Sequence, residues 1–156
     1  MVTDAKIKAM EKRCVKHLMK KKYELNLPKN ASETALKCLT VYNRKNGRSW
    51  AGDRMIKINA KCWQFGNKQW EEYDRLGKTP VIGDIKVTDD DDILMCLVSH
   101  EVAHFIQFTY THTFPQYLLN KAKKDKAHGE CFQTIYRYLR GDLVNPTIKA
   151  KYQSTQ

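Results

Sequence analysis

The chain has 156 residues, 42% of them apolar and 29% charged. That is the range of one ordinary globular domain, able to bury roughly two thirds of its unfolded surface, and it excludes a collagen-like, low-complexity or wholly disordered chain. The net charge of +11, from 28 Lys+Arg against 17 Asp+Glu, favours polyanionic partners, nucleic acid or an anionic membrane face.

The longest uncharged apolar run, Ile93 to Val98, is far below the ~18 residues of a membrane span. The N-terminus MVTDAKIKAM has no apolar h-region. A soluble, non-secreted protein with no membrane partner is expected. Five cysteines at 14, 38, 62, 96 and 131 form no Cys-x-x-Cys pair. They exclude a zinc ribbon and fit reduced, packed thiols in a cytoplasmic compartment.

No repeat or linker divides the chain, so one domain over residues 1–145 is expected, followed by a polar tail, 146–156, that frays. Residues 3–24 read as a basic first helix, with Ile7, Met10, Cys14 and Leu18 recurring at three and four. Leu36 to Tyr42 is rich in β-formers and Asn43 to Gly47 reads as a turn. Ser49 to Asp53 reads as a connection to a second strand, Met55 to Asn59. Cys62 to Leu76 is aromatic (Trp63, Phe65, Trp70, Tyr73) and partly helical. These rings read as core, with base stacking as the alternative. Val81 to Val87 is a weaker strand. Together these segments predict an α+β fold with a small antiparallel sheet of three or four strands.

The clearest helix follows. Thr88 is the expected N-cap, and Asp89 to Asp92 put negative charge at the positive end of the helix dipole, which explains them better than a calcium site. Ile93 to Phe108 carry almost no charge, as in a central helix buried all round. Gln116 to Lys126 reads as a further helix or connection. Glu130 to Arg140 reads as a last helix, stopped by Gly141.

Inside the central helix lies His100-Glu101-Val102-Ala103-His104. Residues i and i+4 share a helix face, so the two imidazoles can bind one metal ion. Glu101 is turned about 100° away, where its carboxylate can serve as a base rather than a ligand. Zinc is the usual metal for such nitrogens, and it acidifies water enough for a carboxylate to deprotonate it near neutral pH. A catalytic zinc needs a third protein ligand. His112, ~12 Å beyond His104 along a continued helix, is too far. His128, in His128-Gly129-Glu130-Cys131-Phe132, is better placed. Gly129 would leave space beside the metal and Phe132 would anchor the helix to the core. Glu130 is the rival ligand.

A His-Glu-x-x-His helix followed by His-Gly-x-x-Phe on a second helix resembles the SprT-like zinc metalloproteases, a family that includes proteases of DNA-crosslinked proteins. The upstream order also resembles it: a basic helix, a strand, an Arg/Gly turn from Arg44 to Gly52, and the Ile56-x-Ile58-Asn59 strand. The resemblance runs over roughly residues 5–140, in a compact form without the C-terminal zinc ribbon. It implies a zincin-like single domain, one Zn2+ held by His100, His104 and His128, Glu101 as general base, and a protein or peptide substrate. Such a substrate would lie extended along a sheet edge.

DNA is a further expected partner, through Lys121, Lys123, Lys124 and Lys126, which closely precede His128, or through the basic first helix. Tyr110, Tyr136 and Tyr138 are equivalent candidates for stabilising an oxyanion. The rivals to a peptidase are a nucleic-acid-binding module with a structural zinc and a zinc hydrolase acting on a non-peptide bond.

Overall fold

The computed structural model describes residues 2–72 and 74–154. Tyr73 of the aromatic segment lies outside them. The first apolar stripe forms α1 (Asp4–Leu18), capped by the Thr3 side chain, which accepts from the Lys6 amide at 3.2 Å. This helix stops short of residue 24. A short 3-10 turn, Lys21–Tyr23, follows, and Glu24 and Asn26 take positive φ (55° and 56°), which turns the chain away from helix.

An unexpected helix, α2 (Ala31–Cys38), comes next, with Ala31 and Ala35 buried at helical spacing. It takes the first half of the predicted strand, and only β1 (Leu39–Tyr42) remains extended.

The sheet departs from expectation in two ways. The segment read as a connection contains a strand, β2 (Trp50–Gly52), which turns through Asp53 and Arg54, at φ 54°, into β3 (Met55–Asn59). The order is β1-β3-β2. β3 therefore inserts between the other two, parallel to β1 with Leu39 opposite Ile56, and antiparallel to β2 with Trp50 opposite Lys57. The sheet is mixed, not antiparallel. Central β3 explains why Ile56, Ile58 and Asn59 are all fully buried.

The aromatic segment splits. Trp70, on β4 (Gln69–Trp70), is fully buried, whereas Trp63 is 60% exposed. β4 pairs antiparallel with β5 (Ile85–Lys86) in a separate two-stranded ribbon.

The central helix, α3 (Asp90–Thr109), is buried continuously from Asp92 to Gln107. Its N-cap is Asp89, not Thr88. Asp89 accepts from the Asp92 amide at 3.1 Å, and Thr88 instead donates its own amide and hydroxyl to the Asp92 carboxylate. β2, β3 and α1 pack against α3, which puts the sheet and the helices around one core.

After Pro115 come α4 (Gln116–Ala122) and α5 (Glu130–Leu139), whose Phe132, Ile135, Tyr136 and Leu139 face α3 and the core. Gly141 does not stop α5. The helix widens into a π-turn, Arg140–Val144, and runs on as α6 (Asn145–Ser154). A Cβ at Gly141 would lie 3.2 Å from Val81 Cγ1, so glycine serves close packing here rather than termination. The residues expected as a fraying tail are thus helical to Ser154, anchored by buried Ile148 and by Lys151, which pairs with Asp89 and Asp92. Among the described residues no helix is long and apolar enough to cross a membrane.

Candidate metal centre

Helical spacing puts His100 and His104 on one face of α3, ring centroids 5.0 Å apart. The start of α5 folds back to bring His128 against both. Its Nε2 lies 3.0 Å from His104 Nε2 and 3.3 Å from His100 Nε2, so the three rings are close enough to hold one metal ion. Two nitrogens each ~2.05 Å from a tetrahedral metal sit roughly 3.3 Å apart, which suits these separations. Phe132, fully buried, stacks on His104 at 4.1 Å and touches the other two rings, fixing the triad from behind.

The outer ring nitrogens of the two α3 histidines are occupied. His100 Nδ1 donates to Glu72 Oε1 at 2.7 Å, and His104 Nδ1 donates to Gln107 Oε1 at 3.0 Å. These bonds leave the Nε2 atoms of His100 and His104 on the side of His128 Nε2. Protons can join such nitrogens only in pairs, whereas one cation satisfies all three. The residues present therefore fit a metal.

Glu72 is the functional residue that sequence reasoning missed. Fully buried, its side chain also accepts from Trp70 Nε1 at 2.8 Å, Tyr136 Oη at 2.5 Å and an Arg140 guanidinium nitrogen at 2.8 Å. Arg140 in turn donates to the carbonyls of Ile82 and Gly83 and to Asn145. Burial works against charge on both Glu72 and His100, but their mutual bond outweighs it. Glu72 is held below the ordinary carboxylate range and His100 above the ordinary imidazole range. Burial and the neighbouring His100 push His104 down to about 3, which keeps it a neutral ligand.

Glu101 is buried, and its Oε2 has no hydrogen-bond partner among the described residues. Burial lifts its carboxyl to about 7, against the pull of His100. It lies in a cleft of about 550 Å³ with the three histidines. Arg48, Trp50 and Ala51 line the facing wall, which is β2 and the segment leading into it. β2 pairs with β3 on one side, and among the described residues no strand covers its other edge.

The remaining expected residues fall in different places. A Cβ on Gly129 would lie 2.5 Å from Asp125 Cγ. Gly129 therefore makes room for Asp125, which caps α5 by accepting from the Cys131 amide at 2.6 Å, rather than leaving space beside the metal. Glu130, the rival ligand, points to solvent, with Lys121 at 3.8 Å. His112 is exposed on the turn after α3, and His17 bonds Tyr23 at 2.6 Å, both outside the centre. None of the three candidate tyrosines lines the cleft: Tyr136 serves Glu72, Tyr138 stacks on Tyr23, and Tyr110 packs near Phe105. Lys123, Lys124 and Lys126 are exposed, and Lys121 is half-buried. The cluster ends beside Ala127, on the cleft wall. Compared with known proteins, the chain matches no family model, no curated protein and no solved structure.

Proposed function

We propose that the chain is a zinc-dependent endopeptidase of SprT-like type, with a zincin-like arrangement of sheet edge and metal-binding helix. The observation that carries this reading is the meeting of three Nε2 atoms with an unpartnered buried carboxylate, Glu101, in one open cleft. A structural zinc site has no use for that carboxylate, which counts against the nucleic-acid module.

Zinc bound at these nitrogens would acidify water and polarise the scissile carbonyl. His100, His104 and His128 would hold the ion, their rings oriented by Glu72, Gln107 and Phe132. The free edge of β2 offers backbone donors and acceptors that an extended peptide can pair with, which lays its carbonyl across the cleft. Glu101 accepts the proton of the attacking water and passes it to the leaving amine. Its buried carboxylate, with Oε2 unpartnered in the same cleft, is placed for both halves of that transfer. The five free thiols suit a reducing, cytoplasmic setting. Action on DNA-associated proteins is the extension supported by the exposed lysines beside Ala127.

The test is elemental analysis together with casein cleavage. One zinc per chain, and cleavage that a chelator stops and zinc restores, is expected. Zinc-loaded protein inert toward a broad set of peptides would favour the non-peptide hydrolase or the structural site.

A further inference from the structure

The facing walls of the cleft carry two large apolar side chains that stay open to solvent. Trp50 on β2 is 44% exposed and Phe108 on α3 is 40% exposed. Phe108 is held parallel to His104 at 5.9 Å, with an interplanar angle of 9°, and the Lys57 amine sits 5.1 Å over the Trp50 ring. Both residues line the cleft, and both rings keep apolar surface open to solvent. Desolvating such surface favours a bulky apolar guest.

Next to them stands Arg48, exposed, on the same wall, with no ion-pair partner among the described residues. Its loop is pinned from inside. Buried Asn59 donates to the carbonyls of Arg44 and Gly47 at 2.8 and 2.7 Å and accepts from the amides of Arg44 and Lys61. The Tyr42 hydroxyl donates to the Arg48 carbonyl, and the Asn59 amide donates to Ser49 Oγ at 2.9 Å. A loop held this firmly fixes where the Arg48 side chain starts. Glu101 is the sole acidic side chain on the cleft among the described residues, Lys57 sits over the Trp50 ring, and exposed Lys126 directly precedes Ala127 of the cleft wall.

We infer that the cleft selects an extended peptide carrying a bulky apolar side chain between Trp50 and Phe108 and an acidic side chain against Arg48. This rests on the peptidase reading above. Arg48 stands in the loop two positions before Trp50, so their backbones are at most about 7 Å apart. Side chains at i and i+2 of an extended peptide lie on one face with that same spacing, so we place the two determinants at positions i and i+2 of the peptide. The acidic requirement follows from the charge balance, and the guanidinium fork gives it direction.

The deciding experiment is equilibrium binding to the zinc-loaded Glu101→Gln protein of three labelled peptides, with Phe-x-Asp, Phe-x-Lys or Gly-x-Asp at the centre. Phe-x-Asp should bind roughly five- to tenfold tighter than either of the others. Arg48→Glu should invert the order of Phe-x-Asp and Phe-x-Lys, and Trp50→Ala should remove the advantage of Phe over Gly while keeping that of Asp over Lys. Equal binding of the three, no binding of any, or an order unmoved by Arg48→Glu would overturn the inference. Wild-type cleavage read in parallel separates the two proposals. Indiscriminate cleavage overturns this selectivity and keeps the peptidase, whereas discriminating binding without cleavage keeps the selectivity and removes the peptidase.

Discussion

His100 Nδ1 and Glu72 Oε1 lie 2.7 Å apart, although 28 positions separate them in the chain. Through this bond, the short segment after β4 governs which nitrogen of His100 faces the other two histidines. Glu72→Gln keeps the volume but loses the charge that Arg140, Tyr136 and His100 share. Metal affinity should fall ~10- to 100-fold, as for other outer partners of metal-bound histidines. Competition with a chromophoric chelator measures it. Unchanged affinity would show that His100 is oriented by packing alone.

Gly129→Ala should destabilise the protein by ~1–2 kcal/mol, because the new methyl meets Asp125 and displaces its cap on α5. The backbone itself, at φ −76°, tolerates alanine. Thermal melts of Gly129→Ala, Asp125→Ala and the double variant check this. The two effects should be markedly less than additive.

Glu11 on α1 is fully buried, and neither carboxylate oxygen has a hydrogen-bond partner among the described residues. Burial pushes its carboxyl from 4.5 up to about 8. The folded state then holds a proton that the unfolded state releases. Its contribution to stability is complete below pH ~4.5 and is lost as pH rises to ~8. Glu11→Met should therefore gain stability relative to wild type across that window, and the gain should level off above it. Denaturant titrations at pH 5, 7 and 9 read the difference. A constant gap between the two proteins would mean that Glu11 is not proton-linked to folding.

Replacing Lys121, Lys123, Lys124 and Lys126 by Gln should weaken DNA binding and flatten its salt dependence, with zinc content unchanged. If phosphates are contacted, affinity falls with salt through counterion release, by about one unit of log–log slope per lost contact. Equal affinities and slopes for wild type and the variant would exclude this cluster.

Much of the centre is legible in sequence because its chemistry is local. His100, Glu101 and His104 sit within one helical turn, and His128 opens the next helix of the core. Glu72 is not legible. Its meaning comes from four partners on β4, α3, α5 and the π-turn, and no local pattern announces it. The parallel β1–β3 pairing is hidden for a similar reason. Three-residue β2 reads as a turn, and only its position beyond β3 reveals that the chain crosses over. Helix α6 is hidden because the polar residues from 146 on read as a tail, whereas the proline at its start, in the first turn of a helix, loses no intrahelical bond. Gly129 reads in sequence as room beside a metal, because nothing local marks Asp125 as the neighbour that a Cβ would meet.

The most direct test of the central claim is peptide turnover by Glu101→Gln, with zinc measured in the same sample. Gln is nearly isosteric and cannot take a proton from water. The account predicts one zinc per chain, an unchanged fold, and cleavage reduced by roughly 10²- to 10⁴-fold. Wild-type turnover in a folded, zinc-loaded Glu101→Gln protein would contradict it.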